Sequence, residues 1–231
     1  MTFRSKALLI TLLLTLAASD PAHHLLAQSS GEDDLRIARV KYRGGGDWYN
    51  DPSSLTNLVE FTRSHAPLAM GTEFRDVALG SSELHKYPFA FITGHGTISF
   101  NSAEVENLRS FLENGGFLYI DDDYGLDSHF RELIGAVYPG EELVEVPFDH
   151  PIYHQIFDFP NGLPKVHEHD NEAPQGFGLF REGRMVLFYT YESNLADGWA
   201  NPEVHQNPAS LREQALRMGA NILVYALTSG R

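Results

Sequence analysis

Side chains that can act as acids, bases or metal ligands follow four segments of this sequence that read as β-strands. The first segment is followed by the glycine loop, Gly44 to Tyr49, which contains Asp47, Trp48 and Tyr49. The second is followed by Gly94-His95-Gly96. Asp121-Asp122-Asp123 and Glu192-Ser193-Asn194 follow the other two. Because parallel strands end at the same edge of a sheet and ligands bind beyond their carboxyl ends, the sequence predicts that the four clusters converge on one crevice.

The three consecutive aspartates are the strongest of these signals. Adjacent carboxylates repel one another, which favours a bound cation, a proton or a ligand rich in hydrogen-bond donors. Successive side chains of a strand point to opposite faces, so at most two of the three face one pocket. We predict that Asp121 or Asp122 serves as a catalytic base or metal ligand. The structural alternative is an aspartate that accepts hydrogen bonds from backbone amides of the next turn.

His95 and the glycine loop supply the other catalytic candidates. A histidine between two glycines suits an acid, a base or a metal ligand, and the alternative is a turn residue bonded to a nearby carbonyl. The loop lacks the spacing of phosphate-binding motifs, so we interpret its amides as oxyanion donors or as part of a strained turn. The predicted ligand contacts are Gly44, Gly45, Gly46, Asp47, Trp48, Tyr49, Gly94, Gly96, Asp123, Glu192, Asn194 and Trp199.

A pair of histidines offers a separate metal hypothesis. His167 and His169 share one face if this stretch is a strand, which suits a divalent ion completed by Asp122 or Glu192. The pattern is short and arises often by chance. The remaining histidines of the region beyond residue 27, including His154 and His205, are interpreted as structural.

Strands and helices alternate over the first two-thirds of the chain. Apolar or alternating segments predict strands at 35–42, 73–79, 88–93, 117–120, 143–148, 176–180 and 185–191, and helical spacing predicts helices from 52, 101, 127 and 208. This order is typical of an α/β three-layer sandwich with a mainly parallel sheet. The late hairpin predicts an antiparallel addition at one edge. We expect one domain over residues 35–228.

The amino terminus has the pattern of a secretory signal. Arg4 and Lys6 precede an apolar run, residues 7–18, that is short for a membrane span, and cleavage is predicted after Ala27. The alternative is an uncleaved anchor. We therefore expect an exported, periplasmic protein with no stable membrane insertion after cleavage.

Composition limits the chemistry and the partners. The chain has 17 Lys and Arg against 31 Asp and Glu, which disfavours nucleic acid or an anionic membrane as a partner. It contains no cysteine, so thiol catalysis and thiolate metal sites are excluded. An exported domain without disulfides must be stabilised by its core, which this length can supply.

The clusters also resemble a known bacterial family, the domain of unknown function 4159. The resemblance rests on Tyr42 to Tyr49, Thr93 to Gly96, Leu118 to Asp123, Asp149-His150-Pro151, Leu163 to Glu168 and Tyr191 to Asn194 with Gly198-Trp199. The family implies no activity. The layout is more distantly similar to the class I glutamine-amidotransferase-like, flavodoxin-like fold of trehalose-utilisation-type proteins. Its catalytic Cys has no counterpart here, so glutamine hydrolysis is not expected.

Two functions follow from these observations. The first is a polar crevice for a small, donor-rich ligand such as a carbohydrate or cell-envelope fragment, with hydrolysis as the reaction if it is an enzyme. The second is a non-catalytic module that docks an exported protein partner. A divalent metal is the one cofactor that the sequence suggests.

Overall fold

The computed structural model describes residues 35–167 and 169–229. The predicted signal peptide, residues 1–27, and Glu168 lie outside the described residues. The described chain forms a seven-stranded sheet with the order β2-β1-β3-β4-β7-β6-β5. The strands are β1 (Ile37–Lys41), β2 (Arg75–Ala78), β3 (Phe89–Ile92), β4 (Phe117–Asp121), β5 (Val144–Glu145), β6 (Gln175–Arg181) and β7 (Arg184–Tyr191).

The sheet is parallel at its centre and antiparallel at one edge, as predicted. β2, β1, β3, β4 and β7 pair in parallel, whereas β6 pairs antiparallel to β7 and β5 antiparallel to β6. The parallel strands have the flavodoxin-like order, in which the chain builds first to one side of β1 and then to the other. The reversal lies between β1 and β3. Ligands of such sheets bind at this switch point.

Helices cover both faces of the sheet. They are α1 (Ser54–His65), α2 (Ser102–Glu113), α3 (Asp127–Val137), α4 (Leu195–Trp199), α5 (Pro202–His205) and α6 (Ala209–Thr228). One core layer joins α1, α4 and α6 to side chains such as Phe91 and Tyr119, and the other joins α2 and α3 to side chains such as Ile92 and Ile120. Alternate side chains of each strand thus pack into the two cores on opposite faces of the sheet, which makes a three-layer α/β sandwich.

Local sequence explains where several elements begin and end. Asn101 and Glu104 form a capping box at the start of α2, each side chain accepting a hydrogen bond from the other residue's backbone N–H. Gly115 adopts a φ of +99° just after this helix, a conformation that glycine takes without a steric cost. The β6–β7 hairpin turns at Glu182 and Gly183, both with positive φ, which suits the twist of a two-residue connection.

One expectation about the strands was wrong, and another strand is more buried than its alternating pattern indicates. The first four residues of β1 are buried because the strand lies between β2 and β3 and is covered on both faces. Arg39 is accommodated there by a 2.8 Å ion pair with Asp76 and by packing over Phe74. The segment predicted as a six-residue strand, 143–148, contributes only the two residues of β5, since it is an exposed edge with one neighbour.

Among the helices that the structure describes, none combines the length and the apolar character required to cross a membrane.

Candidate functional site at the carboxyl ends of the strands

The four polar clusters lie side by side at one edge of the sheet. They follow β1, β3, β4 and β7, which are consecutive neighbours in the strand order. An additional parallel bridge between His95 and Tyr124 extends the β3–β4 pairing beyond the strands themselves. The sheet therefore brings the four clusters together at its topological switch point, where we predict the ligand crevice, and the loops that follow the strands supply the side chains.

His95 lies between two carboxylates. Its Nδ1 atom is 3.1 Å from Asp47 Oδ2 and 3.1 Å from Asp123 Oδ2. The backbone N–H of His95 also donates to Asp47 Oδ1 at 2.5 Å. The imidazole is 52% exposed and Asp123 only 3%, so the ring extends from a buried carboxylate towards solvent.

This geometry fixes the tautomer of a neutral His95. Ionised carboxylates accept hydrogen bonds and do not donate them, so Nδ1 must carry the proton. Nε2 is then the ring nitrogen with a free lone pair. It makes no hydrogen bond to any residue in the described ranges, which leaves it available to a water or a ligand.

Asp123 is held by amide donors from two other loops. Asn194 Nδ2 donates to its Oδ1 atom at 2.9 Å, and Asn50 Nδ2 donates to its Oδ2 atom. Burial raises the pKa of Asp123, while the Asn194 hydrogen bond and the His95 charge oppose that increase. Asp123 therefore ties the loops after β1, β3 and β7 to the end of β4.

Asp121 and Asp122 occupy opposite faces, as strand alternation requires. Asp121 is fully buried and accepts hydrogen bonds from the backbone N–H of Ala196 at 2.7 Å and the hydroxyl of Thr190 at 2.6 Å. Burial raises its pKa to about 7, although these hydrogen bonds lower it. Its hydrogen bond to Ala196 stabilises the start of α4. A catalytic Asp121 would have to contact the ligand, whereas this side chain is buried.

Asp122 has the structural role that we named as the alternative. Its side chain accepts hydrogen bonds from the backbone N–H of Leu126 at 3.0 Å and the hydroxyl of Tyr189 at 3.2 Å. Burial raises its pKa to about 6, opposed by the Leu126 and Tyr189 hydrogen bonds. Asp122 thus stabilises the turn before α3, on the other side of the strand from His95.

The glycines of the crevice allow close backbone approach. A Cβ atom on Gly94 would lie 3.0 Å from Asp47 Oδ1 and would clash with the Tyr42 hydroxyl. The N–H of Gly46 donates to Thr97 O at 3.2 Å and that of Gly96 to Tyr124 O at 3.1 Å. These two amides are therefore used in the fold and are not free oxyanion donors.

The aromatic candidates divide into two groups. Tyr49 is 60% exposed and packs edge-to-face on the half-buried Trp48. Tyr124, which sequence reasoning did not select, is 52% exposed and its ring lies 4.8 Å from that of His169. Trp199, by contrast, is fully buried and donates to Ala215 O at 2.8 Å, so it belongs to the core and not to the crevice.

His167 and His169 approach each other but not the carboxylates that we expected. Their ring centroids are 4.7 Å apart. His169 Nε2 lies 3.2 Å from Asn194 Nδ2, and His167 Nδ1 lies 3.3 Å from Asp197 Oδ2. Burial, and then the charge of His167, lowers the pKa of His169.

Glu192 is already paired, which removes it from the expected metal site. It accepts a 3.0 Å hydrogen bond from Lys165 Nζ and a 2.9 Å hydrogen bond from the backbone N–H of Asp170. Although burial favours the neutral form, these contacts lower the pKa of Glu192. With Asp122 turned towards α3, the described residues do not bring His167 and His169 into one ligand group with Asp122 or Glu192, which was the site predicted from the sequence.

The sequence analysis did not identify a second group of potential metal ligands. Asp51, Asp197 and His205 place one ligand-type atom each within 4.8 Å of one another. Burial raises the pKa of Asp197, reinforced by the charges of Asp123, Asp51 and Asp121. Asp197 lies close after the Glu192 cluster and Asp51 directly after the glycine loop, so their positions were a usable signal. His205, interpreted as structural, had none.

The fold and the crevice define a flavodoxin-like α/β protein with a histidine–carboxylate site at the switch point of its sheet. Residues 36–227 match the family described as a domain of unknown function (DUF4159), and the chain belongs to that family. No curated protein matches the chain.

Proposed function

We propose that this crevice binds a small, hydroxyl-rich ligand, a carbohydrate or a fragment of the cell envelope, and hydrolyses it with His95 as the acid–base group. The observation that carries the proposal is the position of His95 Nδ1, 3.1 Å from both Asp47 Oδ2 and Asp123 Oδ2. Two carboxylates on one nitrogen orient the ring and stabilise the imidazolium that forms when the other nitrogen takes a proton.

In the proposed reaction His95 Nε2 accepts a proton from a bound water, which attacks the scissile bond. The proton is then delivered to the leaving group, so the imidazole returns to its starting state. The charge that develops on the ring is offset by Asp47 and Asp123. The exposed ring is accessible to a substrate, while Asp123, one of its two supporting carboxylates, is buried away from solvent.

The aromatic side chains around the crevice support a carbohydrate ligand. Tyr49 and Tyr124 are large and exposed, and they follow the strand-end residues Asp47 and Asp123 closely. Aromatic faces offer apolar area to the C–H groups of a sugar while the hydroxyl groups bind carboxylates and amides. We also propose, from the signal-like amino terminus, that the protein is exported, which matches a ligand from the cell envelope.

The test is an assay of the purified protein on soluble peptidoglycan fragments and neutral oligosaccharides, with products followed by mass spectrometry. His95→Gln should abolish turnover and leave the melting temperature nearly unchanged, because the side chain is half exposed. His154→Gln is the matched control: its Nδ1 lies 3.1 Å from Asp158, away from the crevice. Equal loss in both variants, or full activity in His95→Gln, would contradict the proposal.

The docking function remains the second candidate. It is favoured by the burial of Asp121 and Asp123, whose oxygens accept hydrogen bonds from Thr190, Ala196, Asn50 and Asn194. In the turnover assay this function predicts no products from the wild-type protein. In a capture experiment it predicts binding of an exported protein partner that does not depend on His95. Capture of such a partner by the wild-type protein and equally by His95→Gln would support it.

A further inference from the structure

A second group of polar side chains lies beside the His95 site. His205 Nε2 is 2.6 Å from Asp51 Oδ1 and 3.5 Å from Asp197 Oδ1. Asp51 precedes α1, Asp197 lies within α4, and His205 ends α5. Three separate elements therefore bring one imidazole and two carboxylates to one point.

Both carboxylates are buried and incompletely satisfied. The side chains of Asp51 and Asp197 are 4% and 3% exposed. Asp51 Oδ2 and Asp197 Oδ1 are buried and have no hydrogen-bond partner among the described residues. An unpaired anionic oxygen inside a protein is strongly destabilising unless a proton or a cation lies against it.

Neighbouring negative charges increase the need for a proton or a cation at this point. Asp121 and Asp123 are also buried near this point, and both act electrostatically on Asp197. In the described part of the chain, the ion-pair partners of Asp51, Asp123 and Asp197 are histidines. A further positive charge would therefore stabilise this group of buried carboxylates.

We propose that Asp51, Asp197 and His205 bind a divalent transition-metal ion, with Zn²⁺ as the best match. One imidazole nitrogen with two carboxylate oxygens is a donor set that zinc accepts readily, and imidazole disfavours calcium and magnesium. The ligand atoms lie within 4.8 Å of one another, and side-chain rotations of about an ångström would bring them to the roughly 3.3 Å that separates the ligands of one tetrahedral zinc ion. The inference does not depend on the proposed hydrolysis.

Surrounding contacts hold the ligands in place. Asn194 Nδ2 donates to Asp197 Oδ2 at 3.2 Å, and His167 Nδ1 lies 3.3 Å from the same oxygen. These contacts leave the Oδ1 atom of Asp197 facing His205. Such outer contacts orient the ligands of protein metal sites and increase their affinity.

The backbone around the group is also anchored. The N–H of Ser54 donates to Asp51 O at 2.9 Å, and the N–H of Asn201 donates to Ser53 Oγ at 3.0 Å. The second bond fastens the segment before α5 to the start of α1. His205 is partly exposed, which gives an ion a route from solvent and leaves room for a water ligand.

The alternative occupant is a proton shared between Asp51 and Asp197. A shared proton would satisfy one carboxylate oxygen and would compete with metal for the same site. A bound metal ion would displace that proton, so metal binding would release protons and weaken as the pH falls. The two occupants therefore differ in a property that is directly measurable.

The experiment is metal analysis of the purified protein by native mass spectrometry, before and after treatment with a chelator. The chelator-treated protein is then titrated with Zn²⁺, Mn²⁺, Ca²⁺ and Mg²⁺, and the melting temperature is recorded at each step. We expect one equivalent of Zn²⁺ per chain and a rise in melting temperature. No bound metal and no shift with any ion would overturn the inference, and a preference for Ca²⁺ or Mg²⁺ would overturn the zinc assignment.

Two variants assign the ion to these residues. His205→Gln and Asp197→Asn should each weaken zinc binding by at least about tenfold, as loss of a ligand requires, and His154→Gln should bind zinc as the wild type does. His205→Gln alters a partly exposed side chain, so it tests the site even if Asp197→Asn fails to fold. Wild-type zinc affinity in His205→Gln would place the ion elsewhere and overturn the assignment.

Discussion

The Nδ1 atom of His95 lies 3.1 Å from the Oδ2 atom of Asp123. The first residue belongs to the loop after β3 and the second to the loop after β4, and the two strands are parallel neighbours. Their contact joins an exposed base to a buried carboxylate across two βα units. It is the geometric centre of the proposed site, because Asp47, Asn50 and Asn194 all contact one or both of these residues.

Replacement of Asp123 by Asn should destabilise the protein. The carboxylate faces two amide donors and the imidazole N–H, whereas an Asn side chain offers one acceptor oxygen and adds a donor. At least one buried donor then lacks a partner, which costs about 1–3 kcal/mol. Urea denaturation measures this change. Asp158→Asn, at a side chain 87% exposed, is the control, and similar stability in both variants would contradict the argument.

Gly94→Ala should cost more stability than Gly125→Ala. Both glycines have positive φ, +134° and +75°, so both substitutions strain the backbone. Only at Gly94 would the new Cβ atom meet neighbours, the Tyr42 hydroxyl and Asp47 Oδ1, whereas at Gly125 nothing lies within 4 Å. We expect Gly94→Ala to lose an additional ~1–3 kcal/mol, measured by urea denaturation. Equal losses would show that Asp47 is not packed against Gly94.

Stability should fall as the pH rises through the range in which Asp121 titrates. Burial raises the pKa of Asp121 to about 7, above the value of about 4 for an unfolded aspartate. The folded state therefore binds this proton more tightly, and the resulting stability is fully present below about pH 4 and is lost as the pH passes 7.

Asp121→Asn isolates this effect. The Thr190 and Tyr119 hydroxyls near Asp121 can accept as well as donate, so the amide fits. The variant should lose less stability than the wild type between pH 5 and pH 8, as measured by urea denaturation with a chelator present. The same pH dependence in both proteins would show that Asp121 does not titrate in this range.

Loss of the exposed tyrosines should weaken ligand binding without weakening the fold. Tyr49→Ala and Tyr124→Ala remove rings that are largely exposed, so the melting temperature should change little. If these rings stack on a sugar, each substitution should reduce affinity by about two- to twelvefold, in line with ~0.5–1.5 kcal/mol for an aromatic contact. Phe180→Ala, an exposed ring on β6, is the control. Unchanged affinity in both tyrosine variants would contradict the carbohydrate assignment.

The sequence was sufficient to predict the layout of this site but not its contacts. Apolar or alternating segments followed by polar residues indicated β1, β3, β4 and β7, and the rule for parallel sheets placed the residues that follow them at one edge. The capping box of Asn101 and Glu104 and the hairpin at Gly183 were equally local signals. Each depends on residues close together in the chain.

Contacts between distant segments were not predictable in the same way. His205 meets Asp51 across the chain because α5 is fastened to the start of α1, and no spacing pattern encodes that contact. Asp122 was a plausible metal ligand until the direction of its side chain towards Leu126 and Tyr189 was known. Trp199 is an aromatic residue near a polar cluster, yet its helix packs it into the core.

The most direct test of the central claim is a map of where a ligand binds. The backbone amide resonances of ¹⁵N-labelled protein are recorded while a soluble disaccharide–peptide fragment of peptidoglycan is added. The account predicts saturable shifts confined to the loops at 44–50, 94–97, 122–125 and 192–197, and their loss in His95→Gln. Saturable shifts on another surface, or no shift with this fragment or with neutral oligosaccharides, would contradict the claim that the strand-end crevice is the functional site.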